Sequence, residues 1–263
     1  MAAITLTVFI NNDGDLFAYG EAIAGFLPYV NCLLKKTDSP KRYKNLIGIT
    51  LGTGSGGGIV CDGELFIGDN SMAGEVWLLR NKLAPQMNAE EGASFRAVRR
   101  AYATGAGIPF DQSPDPRGIE QIALWEKPGH GAAAMDASRQ LGEVLGDAMG
   151  NALTLIDGLA VIGGGLSKGH PLFLPTLVEK LNGFYTDKSG NQFHRLSSTA
   201  FNLEDPDQLG TFLMGDIREI TVPGSDRKIK RDPLQRIGVG MSRPGTSVAV
   251  AVGANAFALK KLL

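Results

Sequence analysis

Five glycines in seven positions, Gly52, Gly54, Gly56, Gly57 and Gly58, follow directly on the apolar run Leu46-Ile47-Gly48-Ile49-Thr50-Leu51. Backbone so bare of side chains belongs where a chain must turn tightly or where a ligand must approach the main chain. The run 46–51 reads as a central strand. Residues 58–61 and 64–67 read as a hairpin, because Asp62-Gly63 supplies the left-handed backbone of a two-residue turn. Gly52-Thr53-Gly54-Ser55-Gly56-Gly57 spells G-x-G-x-x-G, and Glu75 lies near the spacing of a ribose-binding acid. A dinucleotide fingerprint, however, opens a helix, and this loop runs into a strand. No Gly-Lys-Ser/Thr follows, so it is not a Walker loop. Two readings remain: a concavity of backbone amides for phosphate oxygens, or a glycine-rich hairpin with no ligand.

Composition narrows the setting. With 26 Lys and Arg against 27 Asp and Glu, the net charge of -1 gives no general pull toward nucleic acid or anionic lipid. The two cysteines, Cys32 and Cys61, make no disulfide framework, and with three histidines beside them they make no Cys/His zinc site; a cytoplasmic setting is expected. The apolar start lacks a basic leader and is read as a strand over 4–10. The uncharged stretch 246–259 is short of the roughly 20 residues a membrane helix needs, so no membrane contact is expected.

The remaining chain alternates. Helical spacing covers 15–36, with Pro28 as the expected break, and 37–45 is read as a loop whose Lys/Arg run is a solvated face. Helices are expected over 89–102, 117–127 and 132–157, then the strand 159–162 ending at Gly163-Gly164-Gly165, then a helix over 171–181. Strands over 196–203 and 217–222 flank a helix over 207–213. A basic run at 227–231 follows, then a strand over 237–240 and a closing helix over 246–263. This is an α/β alternation.

Strand, glycine loop and antiparallel strand is the arrangement by which actin-like ATPases and sugar kinases hold nucleotide phosphates. Five elements in order extend the likeness. Asn12-Asp13 with the trailing Gly20-Glu21 is similar to an Asn-Asp-Ala-Asn element. The stretch 50–58, followed by Ala73-Gly74-Glu75, resembles a phosphate loop with its sugar-binding Ala-Gly-Glu. Glu90-Glu91-Gly92-Ala93-Ser94 resembles Glu-x-x-Ala-Ser, residues 161–167 a strand and loop beside adenosine, and Ala251-Val252-Gly253-Ala254 a closing helix. On these residues the chain is identified as a member of the ROK family (repressor, open reading frame, kinase), with glucokinases and N-acetylhexosamine kinases.

The resemblance implies an α/β, actin-like ATPase (ribonuclease H-like) fold and ATP-dependent phosphorylation of a hexose with Mg²⁺. It makes Asp13 the base that takes the proton of the attacking hydroxyl; helix N-capping is the competing role. Asn12, Glu75 and Glu90 would hold sugar hydroxyls. Glu75 has an ordinary turn carboxylate as its alternative, and Glu91 competes with Glu90. Gly52, Thr53, Gly54, Gly163, Gly164 and Gly165 would hold the nucleotide.

Three departures accompany it. Trp77-Leu78 stands where the family has Gly-His, which suggests Trp77 stacking on the sugar ring. The cysteine-rich zinc loop is replaced by 80–88, so no metal site and no zinc are expected. No Asp-x-Gly-Gly-Thr, the element that binds phosphates and positions Mg²⁺, occurs in the sequence. The expected organisation is a remnant of an N-terminal lobe over 1–45, a C-terminal lobe over 46–245, and a closing helix over 246–263 made to pack on the N-terminal lobe. From this follow two expectations: weak or absent kinase activity in the chain by itself, and a homo-oligomer, a dimer, covering the apolar face of the last helix. A non-catalytic sugar-binding or regulatory module is the alternative function.

Overall fold

The computed structural model describes residues 7–262. Its organising element is a six-stranded sheet in the order β3-β2-β1-β4-β10-β7. The strands are β1 Leu46–Leu51, β2 Ser55–Cys61, β3 Glu64–Phe66, β4 Leu159–Gly163, β7 Thr199–Asn202 and β10 Arg236–Met241. β1, β2 and β3 form an antiparallel meander, whereas β1, β4, β10 and β7 run parallel. The residues of β4 and β10 are all buried, as the continuous apolar runs of strands covered on both faces require.

Two helical layers cover the sheet. On one face, Ile47, Ile49, Ile162 and Val239 pack against α3 Phe95–Ala106, α4 Pro116–Ala123, α5 Gly131–Ile156 and α6 His170–Leu181. On the other, Leu46, Val60 and Val161 pack against α1 Asp13–Ala24, α2 Phe26–Lys36, α7 Pro206–Met214 and α8 Thr246–Leu262. Two short hairpins, β5 Phe184–Thr186 with β6 Gln192–His194 and β8 Arg218–Thr221 with β9 Lys228–Arg231, stand outside the sheet. Their residues are all exposed; β8 falls within the expected strand over 217–222, whereas β5 and β6, three residues each, are too short to give a periodic signal in the sequence.

Several expectations are corrected. Residues 7–10 form no strand, and Val8 and Ile10 are exposed; residues 4–6 of the expected strand lie outside the described residues. The helical stretch 13–36 breaks at Gly25 rather than Pro28. The buried Glu21 carboxylate accepts the Phe26 amide at 2.7 Å and so starts a second helix, while Pro28 sits in its first turn, where a missing N–H costs nothing. The stretch is apolar enough to pass for a membrane span, yet about half of it is buried within the protein. The expected helix over 89–102 is a 3-10 turn, Ala89–Glu91, followed by α3, because Ser94 caps the Ala97 amide. The closing helix packs on α1: Ala249 is buried, and Val250 and Phe257 are partly covered, leaving Val248 and Leu259 exposed.

Candidate active site

The site lies where β1 and β4 end. Gly164, at φ +90°, follows β4 and crosses β1; a Cβ there would come within 2.2 Å of the Leu51 carbonyl oxygen, so only glycine fits. The Thr246 hydroxyl at the start of α8 accepts the Gly164 amide at 2.7 Å and fixes this crossing. On the other side α1 reaches the glycine hairpin through glycine as well. A Cβ on Gly14 would meet the Gly57 carbonyl oxygen at 2.6 Å, so helix and strand touch backbone to backbone.

This contact puts Asn12 and Asp13 beside residues 50–57, in a cleft of about 590 Å³ whose lining also includes Glu75, Trp77, Glu90, Gly164, Thr246 and Val250. The cap of α1 is Asn12, whose Oδ1 accepts the Gly14 amide at 2.8 Å. Asp13 is therefore spared the capping role. Its exposed carboxylate has no hydrogen bond or ion pair among the described residues.

Glu90 Oε2 accepts the Ser55 amide at 3.0 Å, tying the turn 89–91 to the glycine hairpin. Glu91 points elsewhere, pairing with Arg100 at 2.9 Å, which lowers its carboxyl pKa through that hydrogen bond. Of the two, Glu90 faces the cleft. Glu75 accepts a hydrogen bond from the Trp77 indole N–H, so the tryptophan positions a carboxylate besides lining the wall.

The glycine triplet divides. Gly164 lines the cleft, but Gly163 is buried against the Phe17 ring, and Gly165 opens onto a separate cavity of about 240 Å³ lined by Lys168, Glu120 and Leu172 among others. Sequence reasoning passed over Thr246 and Asp15. Asp15, 4% exposed, has one carboxylate oxygen without a partner, and its pKa is raised to about 6 by burial and then by the Glu75 charge. An acid two places after Asp13 in a helix's first turn gives no signal that separates it from ordinary end-of-helix charge. No cluster of three or more His, Cys, Asp or Glu that would hold a metal ion forms among the described residues.

A meander followed by parallel strands, with a glycine hairpin and a carboxylate at their shared end, defines the actin-like ATPase fold. Within that class, the chain belongs to the ROK family, whose model matches residues 1–205. It is 30% identical over 197 residues to an N-acetyl-D-glucosamine kinase of Photobacterium profundum, covering 68% of this chain and 59% of that protein. To its counterpart from Salmonella newport it is 32% identical over 183 residues, covering 63% and 54%. The chain thus spans a little over half the length of these relatives. Among solved structures, a glucokinase from Parabacteroides distasonis superimposes with a TM-score of 0.88 at 46% identity, covering 96% of this chain and 68% of that one. A ROK glucokinase from Streptomyces griseus, solved with glucose and AMPPNP, shares the fold at a TM-score of 0.57 and 19% identity, covering 95% and 68%.

Proposed function

We propose that the chain carries the sugar site and transfer residue of an ATP-dependent hexose kinase acting on glucose or an N-acetylhexosamine. The observation that carries this reading is the shared cleft of Asp13, Glu75, Glu90 and the glycine hairpin. Glu75, Glu90 and the Asn12 amide group bind the sugar hydroxyls. Asp13 accepts the proton of the attacking hydroxyl as its oxygen bonds to the γ-phosphorus and the bond to ADP breaks. The Gly52 amide, expected to hold nucleotide, is taken up within the loop, donating to the Gly54 carbonyl at 2.8 Å, so the amides of Thr53 and Gly54 meet the transferring phosphates, and the nucleotide runs past Gly164 toward the cavity beside Gly165. No group of three or more His, Cys, Asp or Glu side chains gathers among the described residues; Mg²⁺, which takes one or two carboxylates together with substrate phosphates, would enter bound to the nucleotide.

The finer parts of the reading have separate support. The 263-residue chain contains no Asp-x-Gly-Gly-Thr, which favours slow transfer by the chain alone. Residues 1–45 act as part of an N-terminal lobe, 46–245 as the C-terminal lobe and 246–263 as its closing helix. Exposed Val248 and Leu259 favour a dimer, the near-zero net charge disfavours a nucleic-acid partner, and two free cysteines suit the cytoplasm. The missing phosphate element also favours the second reading, a sugar-binding regulatory module without turnover.

The test is ADP release from Mg-ATP across a panel of glucose, N-acetylglucosamine, N-acetylmannosamine and a pentose. Hexose-dependent ADP release is expected. Calorimetric hexose binding without release would leave the regulatory module, and neither binding nor release would defeat both readings.

A further inference from the structure

The Lys/Arg run before β1, which the sequence presents as a solvated face, borders a second cavity of about 630 Å³. This cavity lies at the opposite end of the sheet from the glycine hairpin. Its wall includes Asn45, which precedes β1, Asp157, which precedes β4, and Arg236, which opens β10.

The cavity's charge is unbalanced. Lys41 and Arg42 have no carboxylate partner among the described residues; Lys41 Nζ donates to the Leu234 carbonyl at 3.1 Å and Arg42 Nη1 to the Ser39 carbonyl at 2.7 Å. Arg195 is the telling residue. Its side chain is 8% exposed, stacks over the Tyr185 ring at 5.1 Å, and donates through Nη2 to Asn151 Oδ1 at 2.7 Å and to the Asp147 carbonyl at 3.1 Å, yet the buried Nε has no hydrogen-bond partner. The Asp147 carboxylate oxygen stands 4.0 Å from that Nε, beyond hydrogen-bond reach.

Arg236, fully buried, is matched by Asp232 at 2.7 Å. Arg195 has Asp147, outside the lining, as its ion-pair partner, so against Lys41 and Arg42 the lining offers Asp157, since its other carboxylate, Asp62, is paired with Lys44. The pKa of Lys41 is lowered, by burial and then by the Arg236 charge, with Asp232 and Asp157 acting in the opposite direction. A buried guanidinium nitrogen without a partner is costly unless a ligand supplies the acceptor.

We propose that this cavity is a second binding site, which takes a phosphorylated small molecule. Its volume falls within the range of roughly 300–1,000 Å³ of small-molecule pockets. Arg42 and Arg195 offer the forked donors that suit phosphate oxygens. Ser197 and Ser198, also on the wall, offer neutral hydroxyls to the rest of the ligand.

The probe is pyrophosphate, titrated calorimetrically into the full chain at fixed ionic strength, with Arg42→Gln, Arg195→Gln and Gly54→Ala compared. Saturable binding is expected, weakened at least about tenfold by Arg42→Gln and by Arg195→Gln, the loss of roughly one charged hydrogen bond. Gly54→Ala removes any pyrophosphate binding at the glycine hairpin at the other end of the sheet, and the component sensitive to Arg42→Gln is expected to persist in it. Arg42 is exposed, so its variant decides the question if Arg195→Gln fails to fold. Three results would overturn the site: no saturable binding in the millimolar range, affinity indifferent to Arg42→Gln, or binding abolished by Gly54→Ala.

Discussion

The backbone of Gly14 rests on that of Gly57, and a Cβ on the former would approach the carbonyl oxygen of the latter to 2.6 Å. This contact holds the first turn of α1, with Asp13, against the glycine hairpin, and the site depends on it.

Gly14→Ala therefore tests the architecture. Alanine gains up to about 1 kcal/mol of helix propensity over glycine, but forcing the main chains apart costs about 1–3 kcal/mol, and the second effect dominates. Urea melts should show net destabilisation, and hexose-dependent ADP release should fall because Asp13 is displaced. A variant as stable and as active as wild type would contradict the packing.

Asp15 makes a pH signature. Its pKa is raised from 3.8 to about 6, by burial and then by Glu75. A raised carboxyl pKa means that the native state holds the proton more tightly, so its contribution is full below about pH 3.8 and disappears as pH rises through 6. Asp15→Asn mimics the protonated form. Its stability relative to wild type should rise between pH 4 and pH 7, with a ceiling of about 3 kcal/mol for a shift of roughly two units, and then level off. A difference constant across that window would mean that Asp15 titrates normally.

The segment that stands in the zinc loop's place is closed by hydrogen bonds. Asn81, 3% exposed, accepts the Leu83 and Ala84 amides at 2.9 and 3.2 Å, and Arg80 bridges Asn88. Asn81→Ala should cost about 1 kcal/mol by removing the acceptor of two part-buried amides. Chelator should leave the melting temperature unchanged, and a fall on chelation would reveal a structural metal.

What the sequence made legible follows its physical signals. The strands β1, β4 and β10 are buried on both faces, so their apolar runs are unambiguous, and Asp62-Gly63 marks its hairpin because both residues adopt positive φ, 52° and 84°. Elements held by tertiary contacts were not legible. Gly25 outweighs Pro28 as a break because Glu21, four residues earlier, is buried and caps the next helix. The separation of Glu90 from Glu91 depends on the Ser55 amide, distant in sequence, and on Arg100, whose reach back to Glu91 is set by where α3 begins. Gly165, one position beyond a glycine that lines the cleft, opens onto a different cavity because the chain turns there into a 3-10 helix.

The most direct measurement compares Asp13→Asn with wild type in single-turnover ADP release at saturating Mg-ATP and hexose, with hexose affinity measured in parallel. If Asp13 is the base, release should fall by about 10²–10⁴-fold while hexose affinity stays within a small factor of wild type. Equal release by the two proteins would contradict the assignment.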